Sequence, residues 1–252
     1  MRTKFIAGNW KMYTNAITGE LLASGVVKGL ANATGVRVAV CPPFPFLTRV
    51  GEALKGSPIA LGAQNLYPEK EGAFTGEVSP AMLVDVGCKY VIVGHSERRQ
   101  KMGETDAFIN KKVHAGLANG LGVILCIGET LEEREGNKTE QILDTQTTAG
   151  LANITAAQLE NIVIAYEPVW AIGTGKNATP QQAQDAHAFI RKRVGQLLGA
   201  DAAAKLIIQY GGSVKPDNAA TLLGQADVDG ALVGGASLQV DSFLAIVKAG
   251  MK

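Results

Sequence analysis

Glu167, His95 and Lys11 are the side chains in this sequence best set to do chemistry, and each stands in an unusual surrounding. Glu167 follows a β-branched apolar run, Ile162 to Ala165, and Tyr166, and it precedes Pro168. Proline cannot continue a sheet ladder and biases the residue before it towards extended geometry, so the chain must leave a strand there with the carboxylate on its last turn. Beyond it, Val169, Trp170, Ala171 and Ile172 are too apolar for an idle loop, while Gly173 and Gly175 permit bending and a close backbone approach to a ligand. The segment from Pro168 through Gly173, Thr174, Gly175 and Lys176 to Asn177 and Ala178 therefore reads as a lid beside a base, closed off by Thr179-Pro180. A lid that shuts would desolvate the carboxylate and raise its proton affinity towards what a base needs at neutral pH. Taken alone, a glutamate is as often a surface or salt-bridged group.

His95 is preceded by Gly94, and Ser96-Glu97-Arg98-Arg99 looks like the first turn of a helix. Backbone N–H groups there would disfavour imidazolium and leave a neutral ring able to donate a hydrogen bond. His114 and His187 lie in helical segments and read as structural. Lys11, just past Asn9-Trp10, can bring an ammonium to a negative charge, although most lysines are merely solvated. Gly211-Gly212-Ser213 and Gly234-Gly235 are either tight turns or backbone N–H cradles for phosphate. Gly173-Thr174-Gly175-Lys176 lacks the upstream glycine and following hydroxyl of a nucleotide P-loop, and Ser96 beside His95 has no GxSxG context for a hydrolase. No HExxH, EF-hand or acidic cluster points to a metal, and no cofactor motif is present.

These residues must be positioned by regular elements, and the sequence alternates two kinds. Short apolar runs are expected as strands at Phe5 to Ala7, Arg37 to Cys41, Ile59 to Ala63, Tyr90 to Val93, Val123 to Ile127, Ile162 to Tyr166, Leu206 to Tyr210 and Gly230 to Val233. Helical segments lie between them. Thr105 can cap one that carries Ile109, Val113 and Leu117 on a face, and Ser79-Pro80 and Thr179-Pro180 look like a cap followed by a first-turn proline. Gln182 completes a capping box with Thr179, after which Ala183, Ala186, Ile190, Val194 and Leu197 line one side. Strands apolar on both faces that alternate with helices imply a parallel sheet. Eight such units in one chain of this length predict an α/β fold, a single-domain (β/α)8 barrel spanning residues 1–252, where an open doubly wound sheet would more often have fewer strands. In such a barrel the active face lies at the C-terminal ends of the strands, which is where Asn9, Lys11, His95, Glu167, Gly211 to Ser213 and Gly234-Gly235 fall.

Composition narrows the function. A net charge of +1 without a basic run makes neither nucleic acid nor an anionic membrane an expected partner, and the scattered aromatics (6%) offer no base-stacking platform. No apolar run has the length of a membrane span, and the N-terminal residues lack the features of a signal peptide. Cys41, Cys88 and Cys126 are odd in number and far apart, and read as buried thiols of a reducing, cytoplasmic compartment.

Five stretches resemble the triosephosphate isomerase family, in the right order along the chain. They are Gly8 to Met12, Gly94 to Arg99, Ala165 to Gly175, Tyr210 to Val214 and Val233 to Ser237. The resemblance implies an isomerase of glycolysis and gluconeogenesis that interconverts dihydroxyacetone phosphate and glyceraldehyde 3-phosphate without a cofactor. It implies Glu167 as base and His95 as electrophile, with Lys11 and Asn9 stabilising the enediolate and Ser96 and Glu97 supporting them. A neutral histidine and loop closure are known features of that family, so that part is carried over from it. Gly173, Ser213, Gly234 and Gly235 would bind the phosphate. The long segment Asn65 to Ser79 would form a homodimer contact, with Thr75 at its tip and Arg98 in support. Tyr13 and Asn177 depart from the family pattern and bear on subunit contacts and lid kinetics. A Schiff-base aldolase of the same architecture would need a lysine inside the barrel, and a binding barrel without catalysis would have no use for four polar groups at one rim.

Overall fold

The computed structural model describes residues 2–30, 35–172 and 177–251. Its strands are β1 (Lys4–Asn9), β2 (Val36–Cys41), β3 (Ala60–Ala63), β4 (Tyr90–Val93), β5 (Gly122–Ile127), β6 (Ile162–Tyr166), β7 (Ile207–Tyr210) and β8 (Gly230–Val233). Each pairs in parallel with its neighbour in sequence, and β8 closes on β1 through the register Phe5 to Gly230 and Gly8 to Val233. This is the expected (β/α)8 barrel, with every strand within two residues of its expected ends.

The closure follows from alternation along strands that are apolar on both faces. Phe5, Ala7, Ala39, Cys41, Ile92, Ile124, Cys126, Val163, Ala165, Ile207 and Leu232 form one buried cluster, which fills the barrel. Their strand neighbours, such as Ile6, Val40, Val93, Leu125 and Ile164, belong to a second and larger cluster shared with the helices. Eight strands leave an interior just wide enough for these side chains to fill.

Around the barrel run α1 (Ala16–Gly29), α2 (Leu47–Leu54), α3 (Pro80–Asp85), α4 (Ser96–Lys101), α5 (Asp106–Ala118), α6 (Leu131–Glu135), α7 (Thr139–Gly150), α8 (Pro180–Leu198), α9 (Ala200–Lys205), α10 (Ala219–Leu223) and α11 (Val240–Gly250). The expected caps are in place. Ser79, Thr105 and Thr179 accept from the N–H groups of Met82, Phe108 and Gln182, and Gln182 returns a bond to the Thr179 N–H at 2.9 Å. Ala183, Ala186, Ile190 and Val194 are buried on α8, whereas Leu197, in its last turn, is only half-buried. Lys112 on α5 is buried against expectation for a lysine; it reaches Glu104 at 2.5 Å and the Asn65 side chain at 2.8 Å. Burial raises the pKa of all three cysteine thiols, Cys88 to about 12, and none is paired in a disulfide. Among the described residues no helix is long and apolar enough to cross a membrane.

Candidate active site

Glu167 leaves β6 as expected, and its backbone is clamped on both sides. Its N–H donates to the Ile127 carbonyl at 2.7 Å, while the preceding Tyr166 carbonyl accepts from the Gly211 N–H at 2.7 Å. Glycine stands beside it twice because nothing larger fits. A Cβ on Gly128 would lie 1.8 Å from the Glu167 carbonyl oxygen, and one on Gly211 would lie 2.9 Å from Glu167 Cγ. The carboxylate is 2% exposed. Oε2 accepts from the Ser96 N–H at 3.0 Å, and Oε1 faces Ser96 Oγ at 3.4 Å and His95 Nε2 at 3.0 Å.

His95 sits in the turn between β4 and α4, reached through Gly94 in the left-handed region at φ 70°. It is the N-cap of α4, with Nδ1 accepting from the Glu97 N–H at 3.2 Å. That acceptor role leaves the ring proton on Nε2, aimed at Glu167. Burial lowers the imidazole's pKa, but the charge and hydrogen bond of Glu167, with the charge of Glu97, together outweigh it, so it stands above its ordinary value. Glu167 is the mirror case. Burial raises its pKa, and His95 together with the Ser96 N–H brings it below the ordinary carboxylate value. The expected rise at the base and fall at the histidine are thus absent from this arrangement, because the two groups are paired with each other.

Lys11 follows β1 with its own backbone in the left-handed region, φ 51°. Its N–H donates to Asn9 Oδ1 at 3.0 Å, and its Nζ reaches Glu97 Oε1 at 2.7 Å. A Cβ on Gly234 would be 3.4 Å from Lys11 Cε and 3.9 Å from Nζ, so the ammonium lies against the backbone that follows β8. Asn9, Lys11, His95, Ser96, Glu97, Glu167 and Gly234 thus form one group. Gly235 opens a short 3-10 turn to Leu238 and is exposed. Ser213, after β7, is half-buried, and its carbonyl accepts from the Asn218 side chain at 3.1 Å.

Of the lid, Pro168 to Ile172 and Asn177 to Ala178 are described, and Gly173, Thr174, Gly175 and Lys176 lie outside the described residues. Val169 to Ala171 form a 3-10 turn anchored on a residue the sequence reading passed over, the fully buried Glu129. Its Oε1 accepts from Tyr166 Oη at 3.0 Å, from Trp170 Nε1 at 2.9 Å and from Arg134 at 3.1 Å, and its carbonyl accepts from the Val169 N–H. The Arg134 guanidinium also stacks 4.7 Å from the Trp170 ring centre. In sequence Glu129 is one acid among several in GETLEERE, and only its burial singles it out. At the other end of the lid the Ala178 backbone faces the Tyr210 hydroxyl, whose pKa burial raises to about 12.

Thr75 is exposed in the segment between β3 and α3, where Tyr67 stacks on Phe74 at 4.6 Å between ring centres. Arg98 binds Glu104 at 2.6 Å. His187 is buried with Nδ1 3.1 Å from the Asp227 carbonyl, and His114 Nε2 lies 2.9 Å from the Ala152 carbonyl, as structural histidines. A cavity of about 1000 Å³ opens at the N-terminal end of the barrel between Arg37, Tyr90 and Ile207, and holds none of the groups above. Lys4 is the one strand lysine among the described residues; it alternates with inward-facing Phe5 and binds the Val228 carbonyl. No group of three or more His, Cys, Asp or Glu side chains among the described residues is placed to hold a metal ion.

A closed parallel barrel that gathers a buried carboxylate, an imidazole and an ammonium at the C-terminal rim defines a barrel enzyme equipped for proton transfer. The profile of triosephosphate isomerase matches residues 4–250. Proteins named triosephosphate isomerase from Carboxydothermus hydrogenoformans, Rhodopirellula baltica and Chloroflexus aurantiacus are 59%, 55% and 54% identical to it. These matches cover 98% of this chain in each case and 98–99% of the relatives. The chain belongs to the triosephosphate isomerase family, and it is an isomerase.

Proposed function

We propose that the chain interconverts dihydroxyacetone phosphate and D-glyceraldehyde 3-phosphate through an enediolate, with residues 1–252 acting as one catalytic domain. Glu167 takes a proton from one carbon and returns it to the adjacent one. His95 Nε2–H donates to the carbonyl oxygen, and Asn9 and Lys11 stabilise the negative charge that develops there. The single observation that carries this reading is the 3.0 Å contact between Glu167 and Nε2 of His95, with Lys11 tethered to Glu97 beside them. When Glu167 turns from His95 to a substrate carbon, the pairing that raises the histidine's pKa and lowers the carboxylate's is lost. Burial then dominates both groups: it raises the carboxylate's affinity for a proton, as a base needs, and lowers the imidazole's, which keeps the ring neutral.

The substrate phosphate binds the backbone at Ser213, Gly234 and Gly235, with Lys11 over Gly234, and Gly173 adds an amide from the lid. The lid excludes water and so protects an enediolate phosphate from losing its phosphate. Glu129 holds the lid's first turn, through Trp170 and the Val169 N–H.

The enzyme works as a homodimer. Met12, Tyr13, Ile17 and Leu21 follow β1, Phe74, Met82 and Val84 follow β3, and Met102 follows β4, and all are exposed. The strands they follow lie within the run β1-β2-β3-β4 of the closed barrel, as do those preceding Thr75 and Arg98, and exposed large apolar side chains on that side support a subunit contact there. Free buried thiols support a cytoplasmic setting. A coupled assay with triose phosphate, inhibited competitively by 2-phosphoglycolate, tests the activity, and sedimentation tests the dimer. No turnover of either triose phosphate, or a monomer at full activity, would overturn the corresponding statement.

A further inference from the structure

We infer that Gln64, in the loop after β3, is a positioning residue for Lys11. This role depends on the one proposed for Lys11. A lysine at φ 51° is in a region that a side chain with a Cβ rarely adopts, so the surroundings must hold it there. The β1–β2 ladder cannot, because its register ends at Asn9 opposite Cys41. Past that point the Lys11 carbonyl needs another donor. Gln64 supplies it from two strands away. Its Nε2 donates to the Lys11 carbonyl at 2.7 Å and to the Cys41 carbonyl at 2.8 Å. The Cys41 carbonyl also accepts from the Trp10 N–H at 3.1 Å, so one amide group pins the turn after β1 onto the end of β2.

Both neighbours of that nitrogen are carbonyl oxygens, and only the amide NH₂ satisfies them. The orientation of the Gln64 side chain is therefore fixed by its partners. From the other side, Asn9 Oδ1 takes the Lys11 N–H at 3.0 Å. Clamped at both ends of one residue, the chain sends the lysine side chain across to Glu97 and over Gly234. Without Gln64 the Lys11 carbonyl loses its partner, φ is free to return to the right-handed region, and Nζ leaves its place above Gly234. The terminal amide of Gln64, and not its bulk, does this work.

The test is a double-mutant cycle on kcat/KM with the full chain. Gln64→Met keeps the size and removes both donors. It is expected to lower kcat/KM on the order of ten-fold, with KM for triose phosphate and the inhibition constant for 2-phosphoglycolate both rising. In a Lys11→Ala background the same substitution should change kcat/KM less than about two-fold, because the residue it positions has gone. Gln64→Glu has the same shape but sets a carboxylate against two carbonyls, and should be at least as damaging as Gln64→Met while losing the same coupling. A purely structural glutamine would lower the melting temperature and leave KM and the coupling unmoved. Wild-type kcat/KM in Gln64→Met, or an equal loss with and without Lys11, overturns the inference. The Lys11→Ala variant by itself tests the proposed function, so the two failures are distinguishable.

Discussion

Gly211→Ala perturbs Glu167, the proposed base, without replacing any ionisable group. The added methyl would stand 2.9 Å from Glu167 Cγ and 3.1 Å from the Tyr166 carbonyl oxygen. Carbon atoms in contact sit at about 3.5–4.0 Å, so one of the partners must move by roughly 0.6–1.1 Å. Tyr166 cannot, because it is paired in β6 with Ile127 on one side and Tyr210 on the other, and its carbonyl already accepts from residue 211 at 2.7 Å. The strain therefore falls on the Glu167 side chain. A displacement of about 1 Å at a catalytic group costs on the order of 100-fold in rate, and overpacking a tight site costs about 1–3 kcal/mol of stability. The coupled isomerase assay should show kcat reduced about 30- to 100-fold, with the far-ultraviolet circular dichroism of the folded barrel retained. A Gly211→Ala enzyme with wild-type kcat would refute the claim that the fit of Glu167 against this turn sets its position.

Other substitutions separate the remaining contributions. His95→Gln and Lys11→Ala should each cost on the order of 3 kcal/mol of transition-state stabilisation, read as kcat/KM, and full activity in both would mean the electrophile is misassigned. Burial lowers the His187 pKa to about 3 from an ordinary 6.5. The unfolded chain therefore binds more protons between those values, and this contribution to stability is whole above pH 6.5 and declines as pH falls towards 3. At pH 5 the loss is about 2 kcal/mol, so denaturant unfolding of His187→Asn should show a shallower pH dependence than wild type by that amount; parallel profiles would contradict it. Gly195→Ala, inside α8 where an added Cβ meets only ordinary contact, should stabilise the fold by roughly 0.5–1 kcal/mol and leave kcat unchanged.

The fold was legible because each strand is a short apolar run and the caps Ser79, Thr105 and Thr179 mark helix starts locally. The polar groups of the rim were legible for the same reason, since Asn9, Lys11, His95 and Glu167 all stand just beyond the apolar runs. What escaped was whatever depends on partners distant in sequence. Gln64 looks like any loop glutamine until the Lys11 carbonyl is found beside it, and Glu129 looks like surface charge until Tyr166, Trp170 and Arg134 converge on it. The protonation behaviour of the site escaped too. The His95 environment expected from the helix start is present, with Nδ1 capped by the Glu97 N–H, yet the pairing of Nε2 with Glu167 reverses the direction of the shift.

Proton transfer through Glu167 is tested most directly by following the conversion of dihydroxyacetone phosphate in deuterium oxide by nuclear magnetic resonance, for the wild-type enzyme and Glu167→Gln. The wild-type enzyme should place solvent deuterium on carbon as it turns over, and the amide variant should lose turnover and carbon-bound exchange together. Carbon-bound exchange at the wild-type rate in Glu167→Gln would contradict the assignment of the base.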